Sequence, residues 1–418
     1  MPTPPTAPSR LRLCGVFILF VTSLYLAIGH RVRLSEWNVQ SRTNAALEEA
    51  VAWKAGRLDL TENTYEVARV GEKRYNVVGL AFVLLSVVGT TLTELGGGSA
   101  GTFHSPFYVL FVAVPLFVGA FMALGMAARS ITWGAVLAGY LLAGTSLLPV
   151  LEQCRGTHGG SVYFINHVLA VTGLLILCGD LLGRRRIWPA LIGLALAAWS
   201  RQMTALYALP LIWLAWRGGA GSGVSGAGSA APGRRSLRIA LIGVALVAAV
   251  PMTLNYLKFG SPFDTGYSRI YEGRSDAIGR RGQAELFGLR YLERNAWAMN
   301  VEVPPWDVRR GVLQPVPAGT DGGSIWFTTP ILLGVFVTAR QWWRDAARRA
   351  LMLGTLPVIA GLLLYHTTGA NDAGHYRYAL DFIPVWLMVI APYATSPRGR
   401  PWTLGCLAFS AVYFSLLP

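Results

Sequence analysis

The decisive stretch is residues 161–217, SVYFINHVLAVTGLLILCGDLLGRRRIWPALIGLALAAWSRQMTALYALPLIWLAWR. Residues 162–182 form an apolar block of the length that crosses a bilayer core of about 30 Å. Arg184-Arg185-Arg186 closes it. Two shorter blocks, 187–199 and 203–216, flank Ser200-Arg201-Gln202. Each falls short of the ~17 residues a straight span needs, so the pair is expected to be tilted, broken or folded as a helical hairpin.

Working outward, further spanning blocks lie at about 13–29, 106–127, 131–150, 237–256, 325–341, 350–365, 379–394 and 402–417. The chain of 418 residues is 53% hydrophobic and 14% charged. Soluble domains carry about 25% charged residues, and disordered chains are polar and poor in aromatics. Both classes are excluded. The fold class expected is an all-α polytopic membrane protein with about eleven transmembrane helices and two long outer loops. The first block follows Ser9-Arg10-Leu11-Arg12 without a small-residue cleavage site and reads as a retained helix.

The net charge of +15 has a location. Six short segments carry 16 Lys/Arg against Asp180 and Asp345, which accounts for +14. They are Arg10/Arg12, Arg129, Arg184 to Arg186, Arg217 to Arg238, Arg340 to Arg349 and Arg398/Arg400. Short basic loops face the cytoplasm, so this charge sets topology and is no nucleic-acid footprint. Residues 30–105 hold eight charges of each sign, and 257–324 hold nine basic and eight acidic. These are the outer loops, and the N-terminus is inside. The alternation works only if apolar block 77–95 makes no net crossing, so it is expected to be re-entrant or to lie along the outer interface. The chain divides into an N-terminal module (1–217, with loop 30–105), a flexible Gly/Ser-rich linker (218–236) and a C-terminal module (237–418, with loop 257–324).

Ionisable residues at membrane depth are costly and usually functional. Here they gather at outward helix ends. The first outer loop holds Glu36, Asp59, Glu62, Glu66 and Glu72. A carboxylate there can take a proton from a hydroxyl acceptor, and its plain alternative is pairing with Arg57, Arg69 or Arg74. Arg201 between two apolar helices needs an anion, either a lipid phosphate or a carboxylate such as Asp381 or Glu66. His375 and Arg377 can hold a phosphate, or Arg377 can pair with Asp381 at i+4. Asn255, Tyr256 and Tyr267 surround the turn residues Gly260, Pro262 and Gly266 and can hold a sugar or simply anchor the loop. His158, His167 and Glu152 lack metal-ligand spacing, no Walker loop or nucleophile elbow is present, and neither a metal nor a cofactor is expected.

Four stretches resemble, in order, bacterial membrane glycosyltransferases of the GT-C superfamily, relatives of the dolichyl-phosphate-mannose and aminoarabinose transferases. The first is the outer-loop run Gly56 to Leu60, Glu66-Val67-Ala68, Gly71 to Asn76 and Gly79, with Val77 and Val78 where prolines are common. The others are the Arg201 stretch, "NYLKFGSPFDTGY" (255–267) and "GHYRYALDFIP" (374–384). The resemblance implies a GT-C-like architecture, a polyprenyl-phosphate-linked sugar as donor and a lipid or glycan acceptor at the outer face of the bacterial inner membrane. On the matching positions it implies Glu66 as base, with Asp59 and Glu36 as alternatives, and Arg201, His375 and Arg377 on the donor phosphate. It implies Tyr75, Asn76, Asn255, Tyr256, Tyr267 and Asp381 around the substrate. A lipid or glycan transporter, or a non-catalytic envelope-assembly protein, is the competing class. Helix centres nearly free of charge and the lack of an internal repeat speak against a transporter. Reporter fusions test the orientation: Gly97 and Arg129 should report opposite sides of the membrane, and a cytoplasmic signal at Gly97 would overturn it.

Overall fold

The computed structural model describes residues 45–61, 67–99, 105–154, 161–183, 185–217, 232–272, 277–309, 311–369 and 373–417. The chain is mostly helical. In order come α1 (Ala45–Lys54), strands β1 (Ala68–Val70) and β2 (Lys73–Tyr75), α2 (Leu80–Leu95), α3 (Ser105–Ala128), α4 (Ile131–Ala143), α5 (Leu147–Gln153), α6 (Ser161–Leu182) and α7 (Trp188–Ser200). A 3₁₀ turn (Gln202–Tyr207) leads into α8 (Ala208–Arg217), followed by α9 (Pro232–Phe259), α10 (Ala277–Ala284) and α11 (Leu292–Asn300). Strands β3 (Trp306–Arg309) and β4 (Val312–Pro315) precede α12 (Ile325–Thr328), α13 (Gly334–Val337), α14 (Ala339–Arg344), α15 (Ala346–Leu363), α16 (Ile383–Ala394) and α17 (Arg400–Leu416). The strands make two antiparallel hairpins, with Arg69 opposite Arg74 and Val308 opposite Leu313.

Three helical segments among the described residues are long and apolar enough to cross a membrane: Phe164–Leu182, Arg235–Phe259 and Ala346–Leu363. The pair α4 and α5, bent by 58°, would make a fourth. Their environments differ sharply. The α6 segment is 83% buried by protein, whereas the α9 segment, the more apolar of the two, is 6% buried. Leu241, Ile242 and Leu246 stand outward from α9. In water an apolar surface of this extent would drive association.

Helix α2 also exposes apolar residues, Leu84, Val88, Leu92 and Leu95, while burying Ser86, Gly89 and Thr90 beside Ala81, Phe82 and Val83. Its hydroxyls are satisfied within the helix, Ser86 donating to the Phe82 carbonyl and Thr90 to that of Ser86. Block 77–95 is therefore one unbroken helix from Leu80, without the internal break of a re-entrant loop. It packs along α1, and Lys54 at the end of α1 pairs with Glu94 at 2.7 Å.

Close packing at the centre depends on missing side chains. A Cβ on Gly173 of α6 would lie 2.5 Å from the Gly193 carbonyl oxygen and 2.5 Å from the Ala197 nitrogen of α7. A Cβ on Gly193 would lie 2.6 Å from the Gly173 carbonyl oxygen. The two backbones touch, the arrangement that small residues permit between apolar helices. One buried apolar cluster runs from Ala46 to Cys406, so residues on both sides of the 218–236 stretch share it.

Two expectations need correction. Block 325–341 is not one helix but α12, a 3₁₀ turn at Pro330–Leu333, α13 and α14. Pro330 bars Thr329 from helical geometry, and Thr329 sits at φ −135°, ψ 63°. Residues 232–236, expected as part of a flexible linker, instead open α9 at Pro232, a residue suited to a first helical turn, and residues 218–231 lie outside the described residues. The first apolar block, 13–29, lies outside the described residues.

The glycine contact gives a stability test. Gly173→Ala should cost about 3 kcal/mol through backbone overlap. Gly139→Ala on α4, where nothing lies within 4 Å of the added Cβ, should be neutral or stabilising by up to about 1 kcal/mol. Denaturant unfolding of the detergent-purified protein reads both.

Candidate active site at the Arg201 break

Helix α7 ends because Arg201 turns extended, at φ −137°, ψ 106°. The chain then reverses. Met203 lies against Gly361 and Pro210 against Gly354, so α8 runs back along α15 away from the break. The two half-length apolar blocks are a helical hairpin with Arg201 at its tip.

Arg201 is held from one side. Its Nε donates to both oxygens of Asp381, at 3.2 and 3.3 Å, and Nη2 donates to Oδ2 at 3.1 Å. Asp381 is fully buried. Tyr207 donates its hydroxyl to the Asp381 carbonyl at 3.1 Å, tying the 3₁₀ turn to the same residue. The Arg201 guanidinium lies over the Tyr378 ring at 4.6 Å, and the Arg377 guanidinium lies 5.4 Å from that ring's centre. Nη1 of Arg201 makes no hydrogen bond among the described residues.

Arg201 also lines a cavity of about 200 Å³. Glu49 from α1, Asn76, and Asn255 and Lys258 from the end of α9 line it too, with Tyr267 beyond. Lys258 is 2.5 Å from Glu49 Oε1, and both are buried. Lys258 also donates to the Asn76 carbonyl at 2.9 Å, while the Asn76 amide donates to Glu49 Oε2 at 2.7 Å. One ammonium thus pins the first outer loop to the end of α9. Gly79 lets this loop approach. A Cβ there would lie 2.0 Å from Asn166 Oδ1 and 3.1 Å from the Ser200 carbonyl oxygen. On the second loop Asp264 accepts from the Gly266 N–H at 2.8 Å and from Arg269 at 2.7 Å, which fixes the turn before Tyr267. Burial pushes the Asp264 carboxyl up, but the Arg269 and Gly266 hydrogen bonds outweigh it and hold it below the ordinary range.

Of the residues the sequence points to, Arg201, Asn76, Asn255 and Tyr267 meet at the cavity. Asp381 stands behind Arg201. The i+4 pairing of Arg377 with Asp381 does not form, because Asp381 faces Arg201. Arg377 instead lies 4.8 Å over the Phe164 ring. His375 is buried against Phe414, and neither it nor Arg377 lines the cavity. Burial, then the Arg377 charge, pushes the His375 pKa down to about 3, so it is a neutral imidazole. Tyr75 is a core residue packed edge-on against Phe259, because its place on β2 turns it inward. Tyr256 is exposed on the outer side of α9 and lines no part of the cavity. Asp59 sits 3.7 Å from Arg57, the plain pairing, and away from the cavity. Glu36 and Glu66 lie outside the described residues.

Sequence reasoning missed Glu49 and Lys258. Glu48-Glu49 within "NAALEEAVAWK" looks like a solvated helix face. Ala45, Ala46, Ala50 and Ala52 are all buried, which marks α1 as enclosed; the alanine run was the available signal. Among the described residues no three His, Cys, Asp or Glu gather as metal ligands.

The chain was compared with protein-family models, with curated proteins and with solved structures, and none matches.

Breaking the central ion pair leaves a buried charge. Asp381→Ala should therefore cost about 3–5 kcal/mol, and the double change Arg201→Met with Asp381→Leu should recover most of it. Unfolding midpoints of the purified variants check this, and an unaltered midpoint for Asp381→Ala would overturn the role given to the pair.

Proposed function

We propose that the chain is an integral-membrane glycosyltransferase of GT-C-like architecture, with about eleven crossings and its N-terminus in the cytoplasm of a bacterial cell. It moves a sugar from a polyprenyl-phosphate donor to a lipid or glycan acceptor at the outer face of the inner membrane. The membrane reading draws support from α9, whose apolar segment is only 6% buried, and from the exposed apolar residues Leu84, Val88, Leu92 and Leu95 of α2. The single observation that carries the site is the cavity itself. A guanidinium with an unspent nitrogen and a buried carboxylate–ammonium pair face one space, where both outer loops meet the ends of apolar helices.

In this reading the acceptor hydroxyl attacks the anomeric carbon and the bond to the phosphate oxygen breaks. The negative charge that gathers on the leaving phosphate faces Arg201 and Lys258, where fixed donors act most strongly. The hydroxyl proton passes to a first-loop carboxylate. Glu49 is the acid that lines the cavity among the described residues, and it takes that role ahead of Glu66, Glu36 and Asp59. Lys258 and Asn76 hold Glu49 in place until a phosphate shares the ammonium. Asn255 and Tyr267 border the sugar. Asp381 orients Arg201, and the Tyr378 ring lies between the Arg201 and Arg377 guanidiniums.

The test is transfer of radiolabelled sugar from a polyprenyl-phosphate donor by protein in liposomes. Arg201→Ala should lower the rate by about 10²-fold or more, and Glu49→Gln by a similar factor at unchanged folding. Absence of transfer from every polyprenyl-phosphate sugar, or a wild-type rate for Arg201→Ala, would sink the reading.

A further inference from the structure

Helices α8 and α15 run antiparallel, and their packing brings two short basic segments to one level. Met203 lies against Gly361, and Pro210 lies against Gly354. The same step carried on sets Arg217, the last residue of α8, beside the first turn of α15. Arg349 lies in that turn, and Arg340 and Arg344 lie on α14, which leads into it. The other end of α15 reaches the cavity through Leu362. Between the two ends run 18 residues, about 27 Å of helix, close to the thickness of a hydrocarbon core. The basic end therefore lies across the span from the cavity.

The charge at this end is not compensated by protein. No acid stands between Asp180 and Asp264, and Asp345 is the one acid between Asp321 and Asp372. Asp345 is committed to the start of α15. Its Oδ1 accepts from the Ala347 and Arg348 N–H groups at 2.9 and 3.0 Å, and its Oδ2 pairs with Arg348 at 2.6 Å. Arg217, Arg340, Arg344 and Arg349 meet no carboxylate among the described residues. Arg217 lies over the Trp213 ring at 4.6 Å, and Arg349 donates to the Trp343 carbonyl at 2.9 Å. Both partners are neutral and leave the cations whole. Arg217, Arg340 and Arg344 are exposed, as are Trp216 and Trp343 beside them. Phe336 and Val337, one turn before Arg340, are exposed as well. Exposed indoles and guanidiniums bordering apolar surface at the end of a span are the composition of the headgroup level.

We propose that this arginine–tryptophan collar binds the headgroup of an anionic phospholipid in the leaflet opposite the cavity, the cytoplasmic one in the orientation proposed above. Arg217, Arg340 and Arg344 hold the phosphate, whose oxygens their planar forks match. Trp216 and Trp343 sit at the boundary between headgroups and acyl chains, and Phe336 and Val337 face the chains. The site rests on the reading of α15 as a membrane span. It uses no cavity residue, so it stands or falls apart from sugar transfer.

The experiment uses the full chain in detergent, titrated with phosphatidylglycerol, phosphatidylcholine or inorganic phosphate. Native mass spectrometry counts retained lipid, and thermal unfolding reads stabilisation. Phosphatidylglycerol should be retained and should raise the unfolding midpoint, while phosphatidylcholine should do neither. The triple variant Arg217→Ala, Arg340→Ala, Arg344→Ala should lose retention by about fivefold per arginine. If it fails to fold, the exposed single change Arg340→Glu serves, and it should lower retention as well. Arg290→Ala removes one charge elsewhere, from a residue paired with Glu285 at 3.0 Å, and should leave retention unchanged. Wild-type retention by the folded collar variant, or an equal loss from Arg290→Ala, overturns the site. Equal stabilisation by inorganic phosphate alone overturns the lipid assignment and leaves a soluble-anion site. If wild type retains phosphatidylglycerol but transfers no sugar, the glycosyltransferase reading fails and this one stands.

Discussion

One ion pair fixes the centre of the molecule. Arg201 ends a half-length apolar helix, and Asp381, 180 residues later, closes the 3₁₀ turn that leads into another. Neither charge is tolerable in that setting without the other, because a lone buried ion costs several kcal/mol in lost hydration. Their bond therefore selects the arrangement in which the hairpin tip of α7 and α8 meets the entry to α16. Tyr207 and Tyr378 close around the pair from both elements. The cavity lies on the side of Arg201 that Asp381 does not cover.

Around this centre one large apolar core is buried between the helices, glycines bring α6 and α7 into backbone contact, hydroxyls of α2 bond their own helix, and apolar residues of α2 and α9 face out. Each is the economical arrangement where the surroundings are as apolar as leucine, because close approach and internal hydrogen bonds then replace hydrophobic exclusion as the source of cohesion. The buried Glu49–Lys258 pair joins the middle of α1 to the end of α9.

The candidate site was partly legible. Arg201, Asp381 and Asn255 stand out in sequence because each interrupts or borders an apolar run, where a polar residue is expensive, whereas Tyr267 is marked only by the 255–267 motif. Glu49 and Lys258 carry no such mark. One lies in a short helix of ordinary composition, the other at the end of a long one, and only folding brings them to 2.5 Å. Tyr75 and Tyr256 err in the opposite direction. Both sit within suggestive motifs, yet β2 turns Tyr75 into the core and α9 turns Tyr256 outward. A motif specifies neighbours along the chain, and a side chain's facing depends on the pairing of the element that carries it.

The sequence alone determined the helical class, the apolar segments long enough to span, the break at Arg201 and the segregation of charge into short loops. These depend on block length and local composition, which are one-dimensional properties. The tertiary structure decided which carboxylate meets Arg201, which acid lines the cavity among the described residues, and where block 325–341 breaks into short turns. Those outcomes depend on contacts between residues far apart in the chain. Such contacts are selected by the cost of leaving a buried charge such as Asp381 unpaired and by the close helix approach that Gly173 and Gly193 permit.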